Sequence, residues 1–276
     1  MRYIIFSKAL YSTWIYYSPH RLLFDAGEGV STSLGNKVYA INKVFLSHSH
    51  TDHIAGLWGL INIRNNAMGD RKKPLQIYYP KGNVVIEKFL SFIGSINSLM
   101  RYKIEFFPLK AFDKVELDDK HYVEAFLTHH TPKEISLGYR IMEKRNRLKK
   151  DFSNYSQEEI RRTIKEKGKD YLIESYIKNI LTVSGDSLPI DYKWALECEE
   201  LFHDTTFLSP EERKGERHAT LEEVLEVAKK ARVKTLYLYH ISTRYNNQIK
   251  EIVESKTKNC NINIKIVYPY KIQNFD

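Results

Sequence analysis

Between Leu46 and Leu57 the chain reads Leu-Ser-His-Ser-His-Thr-Asp-His-Ile-Ala-Gly-Leu, with three histidines and one aspartate inside six positions. Val44, Phe45 and Leu46 form an apolar run of the buried-strand kind, and behind the cluster Ala55-Gly56 turns into an apolar helical pattern. Imidazole and carboxylate are the usual ligands of zinc and related first-row cations. Four donors this close together cannot all serve one zinc and leave room for chemistry. On a loop leaving a strand end, however, His48 and His50 can face one cation while Asp52 and His53 face a second. Two cations about 3.5–4 Å apart form a clamp for hydrolytic displacement. A surface cluster of titrating histidines is the plainer alternative, but the flanks are those of a structural unit. Distant segments must then supply the missing ligands.

The size, 276 residues, suits one large domain or two small ones, and the expectation is one domain over 1–276. A net charge of +9 points to a polyanionic partner such as nucleic acid. Cys198 and Cys260 are far apart and outside any C-x-x-C spacing, so reduced structural thiols in a cytoplasmic protein are expected. Lys8, Ser7, Ser12 and Thr13 interrupt the early apolar residues, so no signal peptide is read, and the run from Ile54 to Ile63 is too short for a bilayer. No membrane association is expected.

Aromatic and β-branched strands are expected at 2–6, 14–17 and 21–24. The last ends in Phe24-Asp25-Ala26-Gly27-Glu28-Gly29, where Asp25 is either a turn former or a hydrogen-bond acceptor that orients a ligand histidine. A helix is expected over 53–64, a basic turn at 71–74, a strand at 75–79, a helix at 83–92 and a strand at 103–107. Another strand, 122–127, runs into Thr128-His129-His130-Thr131, and a histidine there can complete the first cation's ligand set. His129 and His130 both qualify; the Thr-x-His frame favours His130. From 143 to 178 lysines and arginines crowd the chain, with Tyr155, Tyr171 and Tyr176 interleaved. That composition suits phosphate neutralisation and base stacking, or else a solvated helical insertion. After the strand Ile180-Leu181-Thr182-Val183, the carboxylate of Asp186 leaves through a glycine turn and can bridge two cations. A helix is expected over 221–231. The strand from Lys234 to Tyr239 ends in His240, the remaining ligand candidate for the second cation.

His-x-His-x-Asp-His followed by Gly-Leu resembles the signature of the metallo-β-lactamase superfamily, and the rest of the chain resembles its tRNA 3′-processing branch, tRNase Z. Phe24-Asp25-Ala26-Gly27 matches the first motif, Gly138-Tyr139 follows the third-motif histidine at a longer spacing than the commonest one, and Ser184-Gly185-Asp186 matches the next. His203-Asp204-Thr205-Thr206 resembles a His-Glu-Ala-Thr motif with aspartate in place of glutamate, and Arg217-His218-Ala219-Thr220 resembles a His-Ser-Thr motif. His240-Ile241-Ser242-Thr243-Arg244-Tyr245 resembles a tail specific to this branch.

The resemblance implies an α/β fold, the αβ/βα sandwich of two mixed sheets flanked by helices. It implies two divalent cations, zinc first, with manganese or iron as alternatives. His48, His50 and His130 would hold one, Asp52, His53 and His240 the other, with Asp186 between them and Asp25 behind. It also implies attack of a metal-activated hydroxide on precursor tRNA, oriented by Asp52, with His218 and Asp204 protonating the departing ribose 3′-oxygen. The product would be a tRNA with a free 3′-hydroxyl, cut by an endoribonuclease working as a homodimer. The basic segment at 143–178, with Lys149, Lys150, Arg161 and Arg162, would grip the tRNA. The alternative is a hydrolase or phosphodiesterase of the same fold acting on a small molecule or another RNA.

Overall fold

Strict alternation in the first strands gives the chain two different apolar faces. In Tyr3–Lys8, Tyr3 and Ile5 belong to one buried cluster and Ile4 to another. In Ser12–Tyr17, Ile15 and Tyr17 go with the first cluster and Trp14 and Tyr16 with the second. A strand that is apolar on both faces must be covered on both, which calls for a layered fold with helices outside.

The computed structural model describes residues 1–67, 73–96, 100–213, 215–258 and 260–276, and the basic turn expected at 71–74 begins outside them. The first half runs β1 (Tyr3–Lys8), β2 (Ser12–Tyr17), β3 (Leu22–Phe24), α1 (Val30–Leu34), β4 (Lys43–Phe45), α2 (Thr51–Ile54), α3 (Leu57–Ala67), β5 (Leu75–Pro80), α4 (Val84–Ile96) and β6 (Ile104–Leu109). The second half runs β7 (Lys114–Glu116), β8 (His121–Thr128), β9 (Ser136–Leu148), α5 (Gln157–Lys167), α6 (Lys169–Leu172), β10 (Ile173–Val183), β11 (Glu200–Asp204), α7 (Leu221–Ala231), β12 (Thr235–Tyr239), α8 (Ile249–Thr257), β13 (Asn263–Ile266) and β14 (Gln273–Phe275).

One sheet has the order β14-β1-β2-β3-β4-β5-β6, the other β13-β12-β11-β10-β9-β8-β7. Both are mixed, and in the same way. Antiparallel pairs join β14 through β3 and parallel pairs join β3 through β6; antiparallel pairs join β7 through β10 and parallel pairs β10 through β13. Tyr3, Phe24 and Phe45 of the first sheet share one core with Tyr139, Phe202 and Tyr237 of the second. The outer face of the first sheet is sealed by Val30, Leu57, Leu60 and Ile61. That of the second is sealed by Val224, Leu225 and Ala228 of α7 together with Ile249 and Val253 of α8. This is the αβ/βα sandwich that the resemblance implied. A Thr220–Glu223 capping box starts α7, as the Thr-x-x-Glu spacing dictates. Among the described residues no helix is long and apolar enough to cross a membrane.

Two departures from the expected elements bear on the site. The helix expected over 53–64 is broken into α2 and α3 at Ala55-Gly56, because the Gly56 amide donates to the Ala26 carbonyl at 2.8 Å. A Cβ on Gly56 would lie 2.0 Å from the Gly27 carbonyl oxygen, so only glycine lets the corner seat against the Asp25–Gly27 turn. The basic segment at 143–178 is only partly helical. Residues 143–148 and 173–178 are paired strand, continuing β9 and β10, with α5 and α6 at the tip.

Candidate metal centre

The site forms where chain segments leave one edge of the sandwich. Asp25 follows β3, the 46–53 loop follows β4, His130 follows β8, Asp186 follows β10, Asp204 ends β11 and His240 follows β12. Asp25 and His240 both adopt positive φ, 56° and 59°, a sparsely populated backbone region for residues with a Cβ. The reversal there turns each side chain back over the sheet ends.

Asp25 is the hub of one side. Its Oδ1 accepts the Ser47 amide at 2.7 Å, and its Oδ2 accepts the Ser47 hydroxyl at 2.9 Å and His53 Nδ1 at 2.7 Å. Since the Ser47 hydroxyl is spent on Asp25, its oxygen is left to accept His48 Nδ1, 2.9 Å away. His130 Nδ1 donates to the Arg217 carbonyl at 2.9 Å. His240 Nδ1 lies 2.9 Å from Thr206 Oγ1, which donates to Asp204 at 2.7 Å. One rule covers all four histidines: Nδ1 is held from behind, and Nε2 faces the centre.

Two donor groups result, sharing Asp186. His48, His50, His130 and Asp186 form the first, and Asp52, His53, Asp186 and His240 the second; within each, one donor atom per residue lies within 4.8 Å of all the others. Asp186 Oδ2 is 3.2 Å from His240 Nε2, 3.3 Å from His53 Nε2 and 3.8 Å from His48 Nε2. Asp52 Oδ2 is 3.4 Å from His240 Nε2, and His130 Nε2 is 3.1 Å from His50 Nδ1. His48 Nε2, His53 Nε2 and Asp186 Oδ1 are buried without a hydrogen-bond partner. Buried polar atoms are ordinarily satisfied, and imidazole lone pairs converging on a carboxylate are the donor set of zinc-like cations. The residues fit the metal that the resemblance implies.

Burial and neighbouring charges set the protonation of these groups apart. Burial, helped by the neighbouring His53, holds His48 well below the usual histidine range. Burial also lowers His130. Burial would lower His53 as well, but the carboxylates of Asp186 and Asp25 overcome it and hold its pKa well above the usual value. Asp186 is held well below the usual carboxylate range: burial works against this, and His240 and His53 outweigh it.

Beside these groups sits a proton-bearing pair. His218 Nδ1 is 2.7 Å from Asp204 Oδ2. Asp204, fully buried, also accepts the amides of Ser187 and Thr206. Burial would lower His218, yet Asp204 prevails and pushes it up to about 9. The His218 ring stacks on His240 with centroids 5.3 Å apart.

His48, His50, Asp52, His53, His130, Asp186, His240, Asp25, Asp204 and His218 thus converge, and His130 rather than the exposed His129 faces the centre. Lys149, Lys150, Arg161 and Arg162 stand elsewhere, at the β9–β10 tip. Leu148 there pairs with Ile173, ten residues up β10 from Val183, about 33 Å along an extended strand. The Lys149 ammonium bonds the carbonyls of Asp170 and Tyr171, Arg162 pairs with Glu166, and Lys150 and Arg161 are exposed.

Three contributors carry no clear signal in the chain. Ser47 and Thr206 lie inside their motifs, but nothing in the spacing says that they hold Nδ1 protons. Glu134 accepts the Ser49 amide at 2.7 Å and Asn83 at 3.0 Å and comes within 3.6 Å of His50 Nε2, a long-range meeting that no local pattern announces.

Residues 6–179 match the family model described as Anti-Pycsar protein Apyc1. The chain is 30% identical to a Ribonuclease Z of Lactococcus lactis over 249 residues, covering 81% of this chain and 79% of the relative. It is 30% identical to the Ribonuclease Z of Archaeoglobus fulgidus over 272 residues, 89% of this chain and 85% of the relative. In fold it is similar to the short form of human tRNase Z, with a TM-score of 0.64, 20% identity and 98% of each chain covered. It is also similar to the metallo-β-lactamase fold protein YhfI of Bacillus subtilis, with a TM-score of 0.67, 16% identity and 98% of each chain covered. By these matches the chain belongs to the Ribonuclease Z family of metal-dependent hydrolases with the metallo-β-lactamase fold, and its residues 6–179 also match the anti-Pycsar protein Apyc1 family.

Proposed function

We propose that this chain is an endoribonuclease that removes the 3′ trailer from precursor tRNA and leaves a 3′-hydroxyl on the tRNA. The observation that carries this reading is the 30% identity to Ribonuclease Z over 81% and 89% of the chain.

His48, His50 and His130 would hold one divalent cation, Asp52, His53 and His240 the other, with Asp186 serving both; zinc suits this nitrogen-rich set, and manganese or iron are the alternatives. When bound, the two cations supply Lewis acidity and bring the pKa of water toward neutrality. The residues supply the rest. Burial would push Asp52 up, but His240 and His53 keep it below the usual carboxylate range, so it stays ionised and can orient the attacking water. His218 carries a proton at neutral pH because Asp204 holds its pKa at about 9, and its Nε2 donates that proton to the departing ribose 3′-oxygen. Asp204 orients the ring and stays ionised.

We read 1–276 as one domain, with the tip at 149–172 reaching the body of the tRNA through Lys150 and Arg161 and with Lys149 and Arg162 beside them. Assembly as a homodimer draws support from Val84, Val85 and Phe92 of α4, all more than half exposed. We read the protein as cytoplasmic, a reading that the free thiols of Cys198 and Cys260 support.

A second reading has one observation in its favour: the family model over residues 6–179 is that of the anti-Pycsar protein Apyc1 and not of a ribonuclease. In that reading the same site cuts a small phosphodiester. Cleavage assays with zinc or manganese on a 3′-extended precursor tRNA, bis(p-nitrophenyl) phosphate and cyclic nucleotides decide between the two. A single cut after the discriminator base supports the endoribonuclease. Turnover of small esters with intact precursor overturns it in favour of the second reading.

A further inference from the structure

A second convergence of metal-ligand side chains lies far from the catalytic groups. His20 sits in the β2–β3 turn of one sheet; Asp118 and His121 flank the β7–β8 turn of the other. His121 opens β8 and His130 follows its end, nine residues on, so about 25–30 Å of extended strand separates the two places.

Asp118 Oδ1 is fixed by the amides of Lys120 and His121 at 2.8 and 2.9 Å. Both oxygens of Asp118 face His121 Nδ1, Oδ1 at 2.9 Å and Oδ2 at 3.0 Å, and Oδ2 also lies 3.6 Å from His20 Nδ1. The edge of a tetrahedron of ligands around zinc, with bonds of about 2.0–2.2 Å, is about 3.3–3.6 Å. On the far side of the His121 ring, Nε2 lies 3.7 Å from Glu143 Oε1, a carboxylate that would face the ring proton on Nε2 when a cation replaces the Nδ1–Asp118 hydrogen bond. Burial and the nearby His121 hold His20 below the usual histidine range, so its lone pair is available at neutral pH. The two rings stand 4.5 Å apart, tilted by 54°.

We propose that His20 Nδ1, His121 Nδ1 and Asp118 Oδ2 form a structural site for a zinc-like divalent cation that clips the two sheets together at the edge away from the catalytic centre. The ligands come from turns of different sheets, so a bound cation bridges the sandwich where side-chain packing ends.

Zinc content of the full chain, measured by elemental analysis after loading and desalting, tests it. Asp118→Asn keeps an oxygen for the two amides, so the turn survives while the charged ligand is removed. Asp118→Asn and His20→Asn are each expected to hold one zinc fewer than the parent, with hydrolysis of bis(p-nitrophenyl) phosphate unchanged. Equal zinc in all three chains overturns the proposal. So does a decrease confined to His20→Asn, which marks adventitious imidazole binding. Should a variant fail to fold, ring nitrogen spectra of the unaltered chain decide. The Nδ1 signals of both His20 and His121 are expected to move on adding zinc, and unmoved signals overturn the site.

Discussion

His218 Nδ1 lies 2.7 Å from Oδ2 of the fully buried Asp204, and the pair sits against the stacked ring of His240. This pairing converts an ordinary histidine into one that stays protonated to about pH 9. A raised folded-state pKa means that the pair's stabilisation is fully present below the unfolded value of about 6.5 and is lost as pH rises through about 9. Activity that needs the acid form follows the same limb. The pH–rate profile is expected to fall on the alkaline side near 9. In Asp204→Asn that limb moves down by up to about two units, with turnover at neutral pH reduced about 10²- to 10⁴-fold. An unmoved limb rules out His218 as the proton donor.

Thr206 ties this pair to the metal groups, giving its hydroxyl proton to Asp204 and facing His240 Nδ1. Thr206→Val has nearly the same shape and neither bond. Affinity for zinc is expected to fall about 10- to 100-fold, read by competition with a chromophoric chelator, with little change in far-UV circular dichroism.

Proton and cation compete at His53. Because Asp186 and Asp25 hold its pKa well above the ordinary value, metal must displace a proton there, and apparent affinity is expected to rise with pH through and above neutrality. Asp25→Asn removes one of the two charges and should flatten that rise. Calorimetric titration in buffers of different ionisation enthalpy counts the protons released.

The Gly56 corner has no room for a side chain. Gly56→Ala puts a carbon 2.0 Å from the Gly27 carbonyl oxygen, and overpacking of this kind costs about 1–3 kcal/mol. The thermal midpoint should drop, and Asp25 and His53 should be pushed out of register, so metal affinity falls along with stability. Parental affinity in a destabilised variant would separate the corner from the site.

The β9–β10 tip can be removed cleanly, since Leu148 and Ile173 are already paired. Replacing 149–172 with Asn-Gly should close the hairpin with a two-residue turn. Hydrolysis of the small ester is expected to persist. Precursor-tRNA binding should weaken, and the slope of log affinity against log salt should shrink by about one for each phosphate that the tip had neutralised. Unchanged tRNA binding would discard the tip as a tRNA-binding surface.

Much of this protein is written locally. The His48–His53 cluster, Asp25 at a strand end, Asp186 after its glycine turn and the helix over Leu221–Ala231 follow from residue type, alternation and spacing, because strand ends and helix periods are set within a few residues. The Thr-x-His frame favours His130 over His129, but the frame does not supply the reason. Both follow the same strand, and the Arg217 carbonyl and His50, brought from elsewhere in the chain, are what hold the His130 ring at the centre. The same holds for Thr206 and Ser47, ordinary hydroxyls until a histidine ring settles against each, and for Glu134 beside His50. The basic stretch at 143–178 reads as one unit, but strand pairing divides it and carries Lys149, Lys150, Arg161 and Arg162 to a tip about 33 Å up β10 from Val183. Composition names the donors that a chain owns. Which of their atoms meet depends on sheet register and on pairings between residues far apart in the chain, and those are decided only when the two sheets close on each other.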